Sequence, residues 1–310
     1  MCYNKIMINK IKNAIMDPSM RFTRLSRAGL FNWMSDEAYL KKKFKLFMGK
    51  ELDLDNPKTF NEKLQWLKLN DRKDIYTTMV DKCEAKKYVA SIIGEEYIIP
   101  TLGVYDKFDD INFDELPDQF VIKCTHDSGG LVVVRDKNKL DKAAAKKKIN
   151  KSLRRNYYYS GREWPYKNVK PRIIIEKYME DSKNKTMRDY KFFCYNGKPE
   201  IMYISEGLEN HATASISFYD MNFKVTDCKR KDFKLLDYTP EKPKNFEKMK
   251  KFSAILSRGI PHLRVDWYEI DGKLYFGELT FSTCSGMVPF EDGKWDKKLG
   301  DMIDLSLVKK

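Results

Sequence analysis

The stretch Arg264-Val-Asp-Trp-Tyr-Glu-Ile-Asp-Gly-Lys-Leu-Tyr-Phe-Gly-Glu278-Leu-Thr280 gathers residue types that handle a metal-bound phosphate. Its alternation predicts two strands, Leu263 to Ile270 and Leu274 to Thr280, closed by a turn at Asp271-Gly272. A loop of about three residues, a type I turn with its glycine in the left-handed region, pairs even positions with even. Arg264, Asp266, Glu278 and Thr280 then share one face, and Val265, Trp267, Tyr275, Leu279 and Phe281 the other. A two-residue loop would mix the polar and apolar sets, which the pattern disfavours. Two carboxylates on one face suit Mg²⁺, a hard ion that takes a few protein oxygens and completes its shell with phosphate. A guanidinium beside them suits a phosphoryl group in transfer. The plainer alternative is a surface hairpin in which Arg264 neutralises Asp266 and Glu278.

A second candidate lies upstream, in Phe120-Val-Ile-Lys-Cys-Thr-His-Asp-Ser-Gly-Gly130. Here a predicted strand enters a Ser/Gly loop and leaves into another strand, Leu131 to Val134. Phosphate loops of the G-x-x-x-x-G-K-[ST] and G-x-G-x-x-G kinds open a helix, and neither pattern is present at this loop. A hairpin tip can instead fold over phosphates and donate the amides of Ser128, Gly129 and Gly130. Lys123 falls within the strand, where an ammonium needs an anionic partner. At 4 Å and an effective dielectric near 20 such a pair is worth roughly 4 kcal/mol. Asp127 puts a carboxylate in this loop and must point away from any phosphate. The alternative is a tight turn with Lys123 paired to an acidic neighbour.

These residues need a scaffold. A chain of 310 residues, 42% hydrophobic and 13% aromatic, can bury a sizeable core and suits two lobes rather than disorder. Residues 1–73 read as a helical arm, either packed on the body or lying on a membrane surface, because basic and aromatic residues interleave there. Beyond Ile75, hairpins dominate, with turns at Asn196-Gly197 and Asp271-Gly272, and helix-strand alternation is poor. An α+β fold with antiparallel sheets follows, not a doubly wound parallel sheet. The formal charge of +14 predicts an anionic partner without naming it. Six dispersed cysteines without a C-x-x-C pair, and three scattered histidines, argue for reduced thiols, no zinc site and a cytoplasmic setting. Met1 to Asp17 carries no uninterrupted apolar core of a leader peptide, and no stretch is long enough to span a bilayer.

In order and spacing, several segments together resemble the ATP-grasp superfamily, and specifically its TupA-like branch, which is associated with teichuronopeptide and capsular polysaccharide biosynthesis. They are Asn56-Pro-Lys-Thr-Phe-Asn-Glu-Lys-Leu-Gln-Trp66, Asp81-Lys82, Leu116-Pro117, Phe120-Val-Ile-Lys123, the Ser/Gly loop, Ile175-Glu-Lys-Tyr178, Arg188-Asp-Tyr-Lys191, Arg264-Val-Asp266 and Gly277-Glu278. The resemblance implies two α+β lobes sandwiching ATP, residues 74–175 and 176–310, preceded by the arm. It implies that Lys82 and Lys123 hold phosphates under the loop Ser128–Gly130. Glu176, Lys177 and Tyr178 would lie in an inter-lobe hinge, which runs on to Met179 and reads adenine through its backbone. Asp189 would bind ribose, and Lys191 would reach phosphate or the acceptor. Asp266, Glu278 and Thr280 would ligate Mg²⁺, and Arg264 would stabilise the transferring phosphoryl group. Thr280 stands where the superfamily usually has Asn.

The activity implied is ATP- and Mg²⁺-dependent ligation of a carboxylate to an amine. An amino acid or peptide would be joined to an acidic cell-envelope polysaccharide or its precursor, at the inner face of the membrane or free of it. Two other readings come from single motifs. Asp53-Leu-Asp55 has the shape of a nucleotide-sugar metal motif, which would make the chain a glycosyltransferase. Tyr157-Tyr158-Tyr159 beside Arg154 and Arg155 would stack nucleic-acid bases. The acidic content and the lack of a helix-turn-helix or zinc pattern disfavour the nucleic-acid reading.

Overall fold

A computed structural model describes residues 17–182, 188–207 and 214–309. The chain opens with helices α1 (Pro18–Arg27), α2 (Asp36–Met48), α3 (Phe60–Asn70), α4 (Asp74–Val80) and α5 (Glu84–Ile93). Local chemistry sets their starts. Asp17 accepts from the Ser19 amide at the head of α1. Thr59 and Glu62 form a reciprocal capping box on α3, so part of the Asn56–Trp66 segment is a helix-start signal.

Strands β1 (Thr101–Tyr105), β2 (Phe120–Cys124), β3 (Leu131–Val134) and β4 (Ile173–Lys177) make a four-stranded antiparallel sheet in the order β1-β4-β2-β3. Helices α6 (Lys142–Leu153) and α7 (Tyr158–Gly161) lie between β3 and β4 in sequence. Ala145 and Ile149 of α6 close one face of the sheet over Phe120, Ile122, Cys124, Ile173 and Ile175. The opposite face carries Val121, Lys123, Ile174 and Glu176.

The second sheet has five antiparallel strands in the order β7-β6-β5-β8-β9. They are β5 (Asp189–Tyr195), β6 (Lys198–Glu206), β7 (Ser215–Asp220), β8 (Leu263–Ile270) and β9 (Lys273–Thr280), with α8 (Phe246–Leu256) between β7 and β8 and α9 (Lys294–Asp301) after β9. One face is sealed by α4, α5 and α8, through Tyr76, Met79, Ala85, Val89, Phe246, Met249 and Leu256. The Trp267 indole there donates to Ser253 Oγ at 2.8 Å. Part of the other face is covered by Phe60, Leu64 and Leu67 of α3 and by Trp295 and Leu299 of α9. Asp189, Lys191, Asp266 and Glu278 lie on this same face. The fold is α+β with two antiparallel sheets, as the hairpins predict. Among the described residues no helix is long and apolar enough to cross a membrane.

The β8–β9 hairpin corrects one expectation. Its turn has two residues, with Ile270 opposite Lys273 and Asp271 and Gly272 at φ 50° and 75°. The register then shifts between Asp266 and Trp267, leaving Gly277 as the extra residue. Beyond the bulge Asp266 faces Glu278 and Arg264 faces Thr280, so the even pairing arises there, by a bulge rather than a longer loop. Before the bulge the parity is reversed: Leu274 and Phe276, not Tyr275, join Trp267 in the core. A Cβ on Gly277 would stand 3.0 Å from Tyr268 Cε2 and 3.1 Å from the Asp266 carbonyl oxygen. Gly277→Val is therefore expected to destabilise the chain by about 1–3 kcal/mol, read as a fall in Tm, and to weaken Mg-ATP-induced thermal stabilisation beyond that fall.

Candidate active site

The five-stranded sheet brings the acidic and basic candidates together by register. Lys191 of β5 lies opposite Asp266 of β8, which lies opposite Glu278 of β9. The Asp266 carboxylate accepts from Arg264 Nε and from its terminal nitrogen, each at 2.7 Å, and from Lys191 Nζ at 2.8 Å. Lys191 also stands 3.2 Å from Asp189. Burial opposes charge on Asp266, but Arg264 and Lys191 outweigh it and hold the carboxyl below its ordinary range. Lys191 moves the opposite way: burial works against its ammonium, and Asp189 and Asp266 more than compensate.

Glu278 and Thr280 differ from Asp266. Among the described residues the half-buried Glu278 carboxylate has no hydrogen bond or ion pair, and the buried Thr280 hydroxyl has no partner. No three His, Cys, Asp or Glu side chains among the described residues form a metal cage. These residues fit an ion that takes two acids from the protein and the rest of its shell from phosphate and water, which is the habit of Mg²⁺. Asp266 and Glu278 would hold it, with the Thr280 hydroxyl as an uncharged neighbour.

The four-stranded sheet supplies the facing surface. Glu176, buried on β4, lies between two ammonium groups: Lys123 Nζ reaches Oε2 and Lys86 Nζ reaches Oε1, each at 2.5 Å. Burial opposes the Glu176 charge, yet the two lysines pull its pKa down to about 2. Burial also works against Lys123, and Glu176 outweighs it with help from Glu278 and Asp189 of the other sheet. Lys123 thus feels acids on both sheets. Lys86 escapes the sequence reading; in the helical run Glu-Ala-Lys-Lys-Tyr-Val it looks like its exposed neighbour Lys87. A signal was present, because Lys86 sits within the apolar stripe of Ala85 and Val89.

At the Ser/Gly hairpin, Asp127 does turn inward. It accepts from the Gly130 amide at 3.0 Å and from the Ser152 hydroxyl. The Gly130 amide is thereby occupied, which leaves the exposed tip, Ser128 and Gly129, as the part able to meet a ligand. Gly130 is needed for packing: a Cβ there would lie 2.4 Å from Cys124 Sγ. Lys82 braces the hairpin from below, its ammonium donating to the Asp127 carbonyl and its amide to the Thr125 carbonyl at 3.0 Å. Glu176 and Lys177 are the last residues of β4, and Tyr178 follows them beside Arg135, whose Nε donates to its hydroxyl at 3.1 Å. Lys177 and Tyr178 line a groove of about 830 Å³ with Leu102, Pro117 and Gln119.

Beyond β9 the chain turns through Ser282–Gly286 with Cys284 and Ser285 both at positive φ, 50° and 57°. Two polar residues of α3, Gln65 and Lys68, hold this loop, and Asn61, one turn before them on the same face, holds the chain just beyond it. Asn61 Nδ2 donates to the Val288 carbonyl at 3.2 Å, and Gln65 Nε2 to the Gly286 carbonyl at 2.9 Å. The buried Lys68 Nζ donates to the Ser285 carbonyl at 2.8 Å and to the Gly161 carbonyl at 2.9 Å.

The single-motif alternatives have structural uses. Asp53 Oδ1 accepts from the amides of Asp55 and Asn56, at 3.0 and 2.8 Å, which makes Asp53-Leu-Asp55 a local turn. Tyr158 donates to Asp36, and the Arg162 guanidinium lies over the rings of Tyr158 and Tyr159. All described cysteines are free, and only Cys284 is exposed.

Glu176→Gln leaves Lys86 and Lys123 facing each other without a counter-charge, at a cost on the order of 3 kcal/mol near neutral pH. Because folding lowers the Glu176 pKa, its contribution is complete above the ordinary carboxyl range and fades as pH falls toward 2. Melting curves across pH 2–7 should show wild type and variant separated at neutral pH and converging in acid.

The TupA-like ATP-grasp family model matches residues 62–304. No curated protein matches the chain. Among solved structures, D-alanine–D-alanine ligase from Bacillus anthracis is 18% identical, with 73% of this chain and 66% of that one covered and a TM-score of 0.40. The same enzyme from Helicobacter pylori is 15% identical, with coverages of 79% and 69% and a TM-score of 0.40. The ATP-grasp ligase PsnB, complexed with a variant of its minimal precursor, Mg and ADP, is 10% identical, with coverages of 80% and 66% and a TM-score of 0.44. The chain therefore spans just under two thirds of the Bacillus anthracis enzyme's length. With a family model matched over most of its length, and the two antiparallel sheets described above, this chain belongs to the TupA-like ATP-grasp family.

Proposed function

We propose that the chain is an ATP- and Mg²⁺-dependent carboxylate-amine ligase. The observation that carries this reading is the pairing of Asp266 across β8 and β9 with Glu278, unpartnered among the described residues, while Lys123 and Lys86 meet over Glu176 on the other sheet. Ammonium groups on one sheet and carboxylates on the other suit a phosphate chain with its metal. Bound Mg-ATP would supply a phosphoryl group that converts a carboxylate to an acyl phosphate with release of ADP, and an amine would then attack the acyl carbon and expel inorganic phosphate to give an amide.

The residues of this chain bind and orient. Lys123 would hold phosphate oxygens, with Lys82 bracing the Ser128–Gly129 tip above them. Asp266 and Glu278 would hold the ion, and Arg264 and Lys191 would offset charge on the transferring group. Asp189 would take the ribose, and the end of β4 through Tyr178 the adenine. A covalent enzyme nucleophile is not required. Membership of the family, and its resemblance to envelope-polysaccharide enzymes, support an amino acid or peptide as one substrate. They support an acidic glycan or its precursor as the other, which fits the net charge of +14.

The test is a screen of carboxylate and amine pairs for ADP release, beside thermal shift with Mg-ATP, UDP-sugars and an oligonucleotide. Only Mg-ATP should raise Tm. Asp266→Asn with Glu278→Gln should cut ADP release by at least a hundredfold. Turnover that survives this double change refutes the metal assignment.

A further inference from the structure

The N-terminal helices carry a surface that the ligase reading does not use. On α1, Phe22 and Ser26 face inward, while Arg21, Arg24 and Arg27 point to solvent together with Met20. The turn that follows exposes Leu30 and Trp33. Trp33 is 82% exposed, and Met20 and Leu30 are each 52% exposed. The other four tryptophans are buried or half-buried. The Trp33 indole N–H donates to the Leu30 carbonyl at 2.9 Å, so its one polar group is satisfied and the ring is free for an apolar medium. Among the described residues Arg21, Arg24 and Arg27 form no ion pair. The acids nearby are committed elsewhere: Glu37 to Lys41, Asp36 to Arg72, and Asp17 to the start of α1.

We propose that this face docks on an anionic phospholipid bilayer, with Trp33, Leu30 and Met20 entering the headgroup region and the three arginines meeting lipid phosphates. Exposed large apolar groups next to unpaired guanidinium groups match an interfacial membrane surface, where both needs are met at one depth. An acidic soluble partner would satisfy the arginines and leave the indole in water.

The surface is fixed to the rest of the molecule. Arg162 donates to the carbonyl oxygens of Phe31 and Met34, at 2.7 and 3.3 Å, and Tyr39 and Lys43 donate to that of Ser160. Met287, just past the Ser282–Gly286 loop, packs among Phe22, Tyr39, Leu40 and Phe44. Docking would hold that end of the site toward lipid and favour an acceptor presented at a membrane surface.

The full chain should be sedimented with phosphatidylglycerol–phosphatidylcholine vesicles and with pure phosphatidylcholine, at low and high salt. Binding should require the anionic lipid, weaken with salt, and fall roughly tenfold or more in Arg21→Gln/Arg24→Gln/Arg27→Gln. Trp33→Ala should weaken it separately, and brominated chains should quench a fluorescence component absent from Trp33→Tyr. Circular dichroism and the Mg-ATP thermal shift should be unchanged in these variants, which keeps the result independent of the ligase reading. No vesicle binding, equal binding to neutral lipid, or parent-like binding by the variants would overturn the proposal.

Discussion

Asp266 has almost no contact with water, and a carboxylate in that position must be matched by cations or give up its charge. Arg264 meets it in a two-pronged pair and Lys191 from the neighbouring strand. That requirement governs the centre of the five-stranded sheet. Lys191 must lie across from Asp266, so the β5–β8 register cannot slip by one residue without turning the ammonium to the apolar face. The Gly277 bulge then brings Glu278 opposite Asp266 while the turn keeps its tight two-residue form. One acid is thus spoken for by protein cations and its neighbour is left open, so the charge of the pair is only partly balanced.

The other sheet solves a related problem with opposite signs. Glu176 lies between Lys86 and Lys123, and its charge is what allows two ammonium groups to stand close together. Lys86 belongs to α5, whose Ala85 and Val89 pack on the back of the five-stranded sheet, although its ammonium ends on the four-stranded one. The helix therefore joins both sheets through one apolar and one ionic contact. Movement of one sheet against the other has to work through that ion pair.

Much of this could be read beforehand, for identifiable reasons. The short apolar run in Phe120–Cys124 and the apolar-polar alternation that opens Leu263–Ile270 mark strands, and both lie where the pattern puts them. The acid pair was legible because only one parity separates polar from apolar residues near Thr280. The bulge was not, since Gly277 gives the same signal whether it is an extra residue or an ordinary strand glycine. Lys86 was passed over because adjacent lysines on a helix look alike unless their place against the apolar stripe of Ala85 and Val89 is counted. Helices α8 and α9 went unread, although Phe246, Met249 and Leu256 recur at helical spacing, because lysines crowd the intervening positions. The occupied Gly130 amide is a local turn contact with Asp127, whereas the Ser152 hydroxyl on the other oxygen of that carboxylate is a tertiary partner with no local trace.

The grip of α3 on the Ser282–Gly286 loop has an evolutionary corollary. Gln65 and Lys68 grasp mainly carbonyl oxygens, which every amino acid possesses. They help hold two left-handed residues, a conformation that costs of order 1 kcal/mol or more each outside glycine. The loop's shape is thus underwritten from a helix distant in sequence and asks little of the side chain at Cys284, which faces solvent. A lineage could vary that position while inheriting the same contour, so diversity would be expected in the loop's outward side chain and constancy in the helix beneath it.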